Sequence, residues 1–406
     1  MRYLWIILAA TVAACGQGNQ TIPNGARLVA QPQQSLVSRT THEWYVDGRH
    51  GSNRNDCKSP QHACKTIRHA IELCSQGDSI KVAPGTYFEN LSIPVSLSIF
   101  GSGPRTTILD GRHLASVFLI THRRLVVTLS GMTMRNAGGI GDGGAVYNCF
   151  TKSLTIVNSI LTGNSVHKGS GTVGFGGAIY NCPTTGTALT IIDSTFSNNT
   201  AEEGGAICSG GALTIINSTF YGNVARHHRG GAIRNYGLLT ITNSTFANND
   251  ARGGIGGAIH NGKYIGLTGA LLMSSSTVSG NNGVGIYNGP GITATLRNSI
   301  VANNAGGDCR GVVTSDGYNL SSDGTCNFNN TGDLNNADPK LGPLGRNGGP
   351  TPTMALRAGS PAIDAGNPNG CTDGRRVLTT DQRGRPRPDP EDSSGCDIGA
   401  FERQGD

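Results

Sequence analysis

The hexamer GGAIYN at residues 176–181 decides the architecture, because the chain writes it repeatedly: GGAVYN from 143, GGAIC from 204, GGAIRN from 230, GGAIHN from 256 and a worn copy, GVGIYN, from 283. Successive copies begin 33, 28, 26, 26 and 27 residues apart. Three other pieces recur in fixed order between them. An LTI-type strand starts at Leu154, Leu189, Leu213 and Leu239. A turn spelled NST or a variant of it precedes an apolar residue, at Leu161, Phe196, Phe220, Phe246, Val278 and Val301. An asparagine-bearing turn follows, with Asn164, Asn199, Asn223, Asn249, Asn282 and Asn304. A period in the twenties with three short strands and three turns is one rung of a parallel β-helix. Each strand then pairs with its copy about 4.8 Å away, so equivalent side chains stack in columns and every rung must present compatible ones. Val146, Ile179, Ile207, Ile233, Ile259 and Ile286 are expected to point inward with the Leu and Phe columns. The glycine pair is expected where the chain turns sharply and rungs approach closely, and the asparagines as rung-to-rung amide ladders.

Composition agrees with one long solenoid. Gly makes up 61 of 406 residues, and charged residues are 14% against a usual value of roughly 25%. The net charge is +6, but Lys and Arg are scattered and no basic run carries interleaved aromatics, which argues against a nucleic-acid groove. The chain opens with MRYLWIILAATVAAC, one Arg followed by an apolar stretch too short to span a bilayer comfortably, as in a secretory signal. The ending VAAC resembles a bacterial lipobox, which makes residues 1–14 a signal peptide and Cys15 the lipidated N-terminus; the alternative is ordinary cleavage after VAA. Gly16, by analogy with lipoprotein sorting, points to the outer membrane. Residues 15–43 are rich in Gln, Ser and Thr and read as a flexible tether.

Beyond Cys15 ten cysteines remain, an even number in an exported chain. The sequence-close pairs Cys57–Cys64, Cys309–Cys326 and Cys371–Cys396 are the expected disulfides. Zinc is disfavoured by the absence of C-x-x-C pairs. Residues 44–119 hold the N-terminal cap and first coils: Ile67, Ala70, Ile71 and Cys74 fall at i, i+3, i+4 and i+7, an amphipathic helix in front of a series of strands. Residues 120–330 are the repeats, and 331–406 a loop-rich C-terminal cap. The fold expected is an all-β, right-handed parallel β-helix with a capping helix.

The span from about 44 to 330 resembles the pectin-lyase-like β-helix proteins. GGAI with nearby FSNN, FYGN and FANN resembles the repeats of polymorphic outer-membrane proteins. The stretch DPKLGPLGRNGGPTPTMALRAGSPAIDAG, followed by TDQRGRPRP and CDIGAFE, resembles the choice-of-anchor Q domain. This resemblance implies a surface or secreted protein, with the lipobox supplying the anchor.

Several proteins of this fold cleave polysaccharides, so an active site must be sought. The NTD, DD and RIK motifs of polygalacturonase-type hydrolases are absent, and His50–Gly51 lies in the cap. A lyase needs a cation to neutralise a uronate and an Arg or Lys base. The candidates are Lys168, Glu202, Glu203, Arg226, His228, Arg229 and Arg252, in loops between the asparagine turn and the glycine pair; adjacent rungs would bring Glu202 and Glu203 near Arg226 and Arg229. The plainer reading is a solvated loop with weak ion pairs. GGIGDGG at 138–144 is similar to a calcium-binding nonapeptide but has its Asp one position early and no tandem copies. Asp364, Asp381, Arg383, Asp397 and Glu402 could ligate a metal, or satisfy turns in the C-terminal region. The residue after the inward Ile reads Tyr147, Tyr180, Cys208, Arg234, His260 and Tyr287, which by period two face outward as a platform for a sugar chain; alternatively Tyr is simply a good strand residue. The sequence therefore favours a lipid-anchored, non-enzymatic surface protein that binds glycans or another surface protein, with no cofactor, over a polysaccharide lyase acting through the charged loops.

Overall fold

The structure is a computed structural model that describes residues 41–405 except 170–172, 185, 253 and 391–394; Cys15 and most of the tether lie outside the described residues. The chain forms a right-handed parallel β-helix built on three long sheets. Sheet 1 has eleven strands, from Glu43–Val46 to Thr314–Ser315, and carries the LTI pieces. Sheet 2 has eleven, from Gly85–Tyr87 to Leu334–Asn335, and carries the Phe column. Sheet 3 has nine, from Leu91–Ser92 to Cys309–Arg310, and carries the hexamers. A fourth sheet of four short strands, Gly138–Ile140, Ser165–His167, Thr200–Glu203 and Val224–Arg229, lies between sheets 2 and 3 in chain order and was not anticipated by a three-strand rung.

The columns are in register. Leu154, Leu189, Leu213 and Leu239 are successive partners, as are Phe196, Phe220, Phe246, Val278 and Val301, and Ile179, Ile207, Ile233, Ile259 and Ile286. These side chains are fully or almost fully buried in one continuous core. The Phe rings stack, with centroids 4.6 Å apart for Phe196–Phe220 and 4.8 Å for Phe220–Phe246.

The two glycines of each hexamer are needed for different reasons. The first takes a left-handed backbone, φ 65° at Gly176 and 68° at Gly230, which disfavours any side chain. The second has an unremarkable backbone but no room: a β-carbon on Gly205 would sit 2.1 Å from the Gly231 carbonyl oxygen. At the opposite turn the asparagines form a buried ladder. The Nδ2 of Asn164 donates to Oδ1 of Asn199 at 2.9 Å, and the pattern continues through Asn223, Asn249, Asn281 and Asn304. One member corrects the sequence register: the rung uses Asn281, three residues after Val278 as Asn249 is after Phe246, whereas Asn282 is exposed and donates to Asp250.

Helix Ile67–Leu73 buries Ile67, Ala70 and Ile71 against the core. The Thr66 hydroxyl accepts from His69 N–H, and the Glu89 carboxylate accepts the N–H groups of Ile67 and Arg68 at 2.9 Å each. At the other end Val313, Cys326 and Phe328 join the core. The loop-rich C-terminal segment then runs back along sheet 2, where Leu356, Ala362, Ile398 and Phe401 cluster with Ile300 and Ala302. Buried Gln382 reaches across to the rungs, donating to Thr219 Oγ1 at 2.8 Å and accepting from Thr245 Oγ1 at 2.6 Å.

The three expected disulfides form, and a fourth, Cys149–Cys182, ties adjacent rungs. Its signal was available: each cysteine directly follows a paired asparagine, Asn148 and Asn181. Cys74 and Cys208 are free. Cys57 and Cys64 also lie within ligand distance of His69, but their disulfide removes the thiolates a metal would need.

Candidate functional site

Sheet 3 places Tyr147, Tyr180, Cys208, Arg234, His260 and Tyr287 side by side on six successive rungs. The column exists, but it is not open along its length. Tyr147, Tyr180 and Tyr287 are half-buried, whereas Cys208, Arg234 and His260 are 1%, 5% and 4% exposed. The outward reading is thus corrected at its centre, and the cause is a roof. Tyr236, itself buried, packs at a tilt against Tyr264 of the small antiparallel hairpin Lys263–Tyr264/Leu267–Thr268, with ring centroids 4.9 Å apart, and Phe175 and Leu267 pack beside it. The hairpin is an insertion outside the repeat, whereas Phe175 and Tyr236 sit at recurring rung positions that the other rungs fill with different residues.

Beneath it the polar groups satisfy one another. Arg234 Nε donates to the Tyr236 hydroxyl at 3.0 Å and lies 3.3 Å from Glu203 Oε2. The Tyr236 hydroxyl donates to that same carboxylate oxygen at 3.2 Å, and Arg229 Nη1 to the other, Oε1, at 3.1 Å. Arg234 also contacts the His260 ring, which packs against Tyr287 with centroids 4.5 Å apart. Burial pushes the Cys208 thiol and the Tyr180 and Tyr236 phenols well above their usual range, so these are neutral groups. The aromatic surface that remains accessible is at the two ends. Tyr147 and Tyr180 lie 5.6 Å apart, with Phe175 stacked on Tyr180 at 5.9 Å, and Tyr287 ends the run.

The charged loops do come together across rungs. Glu202 faces Arg226 at 3.4 Å and His227 at 3.3 Å, and both Glu202 and Glu203 side chains are only about a tenth exposed. Arg226 is further occupied by the Val166 carbonyl and the Ser165 hydroxyl. His228 faces the carbonyls of Ala251 and Arg252, while Lys168 and Arg252 are exposed and take no part in this cluster. Each carboxylate already faces cations. These pairs order the turn, while Lys168, Arg252 and half of the Arg229 side chain stay open to solvent.

Of the other acidic candidates, Asp142, Asp381, Asp397 and Glu402 have protein partners, whereas Asp364 Oδ1 is buried without a hydrogen-bond partner. Asp142 Oδ1 accepts the N–H groups of Phe175 and Gly174 at 2.7 and 3.1 Å, which pins the Phe175 loop to the preceding rung; burial raises its carboxyl. In the C-terminal segment Asp381 pairs with Arg383 and Glu402 with Arg387, each at 2.7 Å, and Asp397 accepts the Asp364 and Arg403 N–H groups. Among the described residues these carboxylates do not converge on one point.

No protein-family model matches the chain, and no curated protein matches it. Among solved structures, a rhamnogalacturonan lyase is similar at 13% identity, over 65% of this chain and 82% of that one, with a TM-score of 0.37. A pectate lyase, Pel9A, is similar at 14% identity, over 90% of this chain and 97% of that one, with a TM-score of 0.49.

Proposed function

We propose that this protein is a surface-displayed, glycan-binding β-helix without catalytic activity. It is held to the bacterial outer membrane through lipid on Cys15, in keeping with the resemblance of its C-terminal stretch to the choice-of-anchor Q domain and of its repeats to polymorphic outer-membrane proteins. The observation that carries the reading is the pair of half-buried rings, Tyr147 and Tyr180, in register on adjacent rungs and backed by Phe175. Aromatic faces held rigidly in a row suit stacking on a sugar chain. The engagement of Glu202, Glu203 and Arg226 within the fold supports binding over catalysis.

A second reading, a lyase acting on acidic polysaccharide, draws on the carboxylate–guanidinium pairs of adjacent rungs, where the Arg229 side chain is half exposed. One experiment separates the two. The full chain is screened on a glycan array, and retention on the best ligand is compared for Tyr147→Ala, Tyr180→Ala and Tyr287→Ala. A stacking contact worth about 1 kcal/mol predicts a several-fold loss for each, read at a temperature where every variant is folded. Unsaturated sugar ends accumulating in ultraviolet absorbance, and abolished by Glu203→Gln or Arg226→Ala, would overturn the binding reading.

A further inference from the structure

The positive charge that looks scattered in sequence is gathered by the coil. From Asp110 to Asp193 the chain carries Arg112, Arg123, Arg124, Arg135, Lys152 and Lys168 against three carboxylates, Asp110, Asp142 and Asp193. Arg135 is paired with Asp110, and Asp142 is held by backbone amides of another loop. Where sheet 3 turns into sheet 1, successive rungs bring Arg123, Arg124, Phe150, Thr151, Lys152 and Thr184 around a cleft of about 470 Å³ with no acidic residue in its wall. Arg123, Arg124 and Lys152 are exposed, and none has an ion-pair partner among the described residues. Thr184 lines the cleft, with its hydroxyl oxygen buried beneath the surface.

The cleft has a fixed wall. The Cys149–Cys182 disulfide joins the two rungs just beside Phe150 and Thr184. Arg124 N–H donates to the Phe150 carbonyl at 2.9 Å. Arg124 and Phe150 both take left-handed backbones, φ 61° and 67°, a conformation bulky residues rarely adopt. Phe150 is 41% exposed, with the Arg123 guanidinium 5.1 Å from its ring centroid.

We propose that this cleft binds a phosphate monoester carried on a sugar ring. Three uncompensated cations exceed what a single carboxylate would neutralise, whereas a phosphate monoester carries about −1.5 to −2 near pH 7 and three acceptor oxygens. Guanidinium groups meet such oxygens in paired hydrogen bonds. Phe150 supplies a face for the apolar side of a pyranose. The sugar part of the inference rests on the glycan-binding reading; the anion part rests on the cleft alone.

The test is calorimetric titration of the full chain with glucose 6-phosphate, inorganic phosphate, glucose and galacturonate, and a sedimentation assay with phosphatidylcholine vesicles with and without phosphatidic acid. Glucose 6-phosphate should bind more tightly than the other three soluble probes and weaken as salt is raised. The double variant Arg123→Gln/Lys152→Gln should lose at least tenfold, with Arg357→Gln as a surface-charge control and melting unchanged in both, since these side chains are exposed. Galacturonate binding as tightly as the sugar phosphate would overturn the phosphate assignment. Inorganic phosphate or phosphatidic acid vesicles binding as tightly would overturn the sugar. Binding unaffected by the double variant, or no binding of glucose 6-phosphate, would overturn the site. The Tyr147 and Tyr180 variants are run in parallel, so loss of the cleft and loss of the aromatic face are read separately.

Discussion

Gly231 lies so close to Gly257 on the next rung that a β-carbon added to the first would sit 2.1 Å from the carbonyl oxygen of the second. No rotamer relieves such a contact, because the atom it meets is backbone. Gly231→Val should therefore destabilise the solenoid by more than about 3 kcal/mol. Arg229→Ala, two residues earlier, removes one partner of Glu203 but leaves Arg234 and Tyr236, and should cost about 1 kcal/mol or less. Urea melts of the two variants decide it: equal, small losses would mean that the second glycine is not the point of rung contact.

Asn223 is bonded on both sides. Its Oδ1 accepts from the side chain and backbone N–H of Asn199 at 2.9 and 3.1 Å, and its Nδ2 donates to the Phe196 carbonyl and to Asn249 Oδ1 at 3.0 and 2.8 Å. Asn223→Ala leaves buried donors and acceptors unmet on two rungs and should cost on the order of 2–4 kcal/mol. Asn282→Ala, at the exposed neighbour of the true ladder residue, should stay within about 0.5 kcal/mol. Equal costs in thermal melts at one pH would refute this ladder.

The columns were legible because a parallel coil superposes the same sequence position on every rung, so the register followed from aligning Leu, Phe and Ile. The roof over Arg234 was not. The hairpin after Asn261 adds residues between sheets 3 and 1, while the loop after Asn281 is shortened, so the hexamer spacing barely changes from 26 to 27. Equal spacing hid two compensating changes, and with them the burial of His260. The path of the C-terminal segment was illegible for a related reason: its contacts are made by single residues such as Gln382, which repeat nowhere. The basic cleft escaped because its cations lie on different rungs, nearly thirty residues apart in the case of Arg123 and Lys152.

Gln382 predicts its own importance. Its amide also donates to Thr351 Oγ1 at 2.9 Å and reaches the Pro352 carbonyl at 3.2 Å, so one buried side chain joins two parts of the C-terminal segment to two rungs. Gln382→Leu should lower stability by roughly 2–3 kcal/mol and speed proteolytic clipping of residues 346–390 while the rungs stay resistant. Uniform loss of resistance along the whole chain would show that the segment and the coil unfold together.

Asp397 makes the stability of this region depend on pH. It is 1% exposed, and burial first, then the nearby Glu402 charge, push its carboxyl up to about 7. Glu402 is raised as well, again chiefly by burial. In the unfolded chain such carboxyls titrate near 4. Between those values the native state holds a proton that the unfolded state has released, so stability falls as pH rises from about 4 to about 7 and then levels. Asp78 and Asp110 act in the opposite sense: burial would raise them, but hydrogen bonds from backbone and side chains hold both carboxyls low. Their contribution is present at neutral pH and is lost only as pH falls below about 4. Over about pH 5 to pH 8 the wild-type melting temperature should therefore decline, and Asp397→Asn, which cannot ionise, should flatten that decline whatever its absolute stability. A variant that keeps the full slope would assign the titration to another group, and a wild type whose stability rises across the window would show that Asp397 ionises normally in the folded protein.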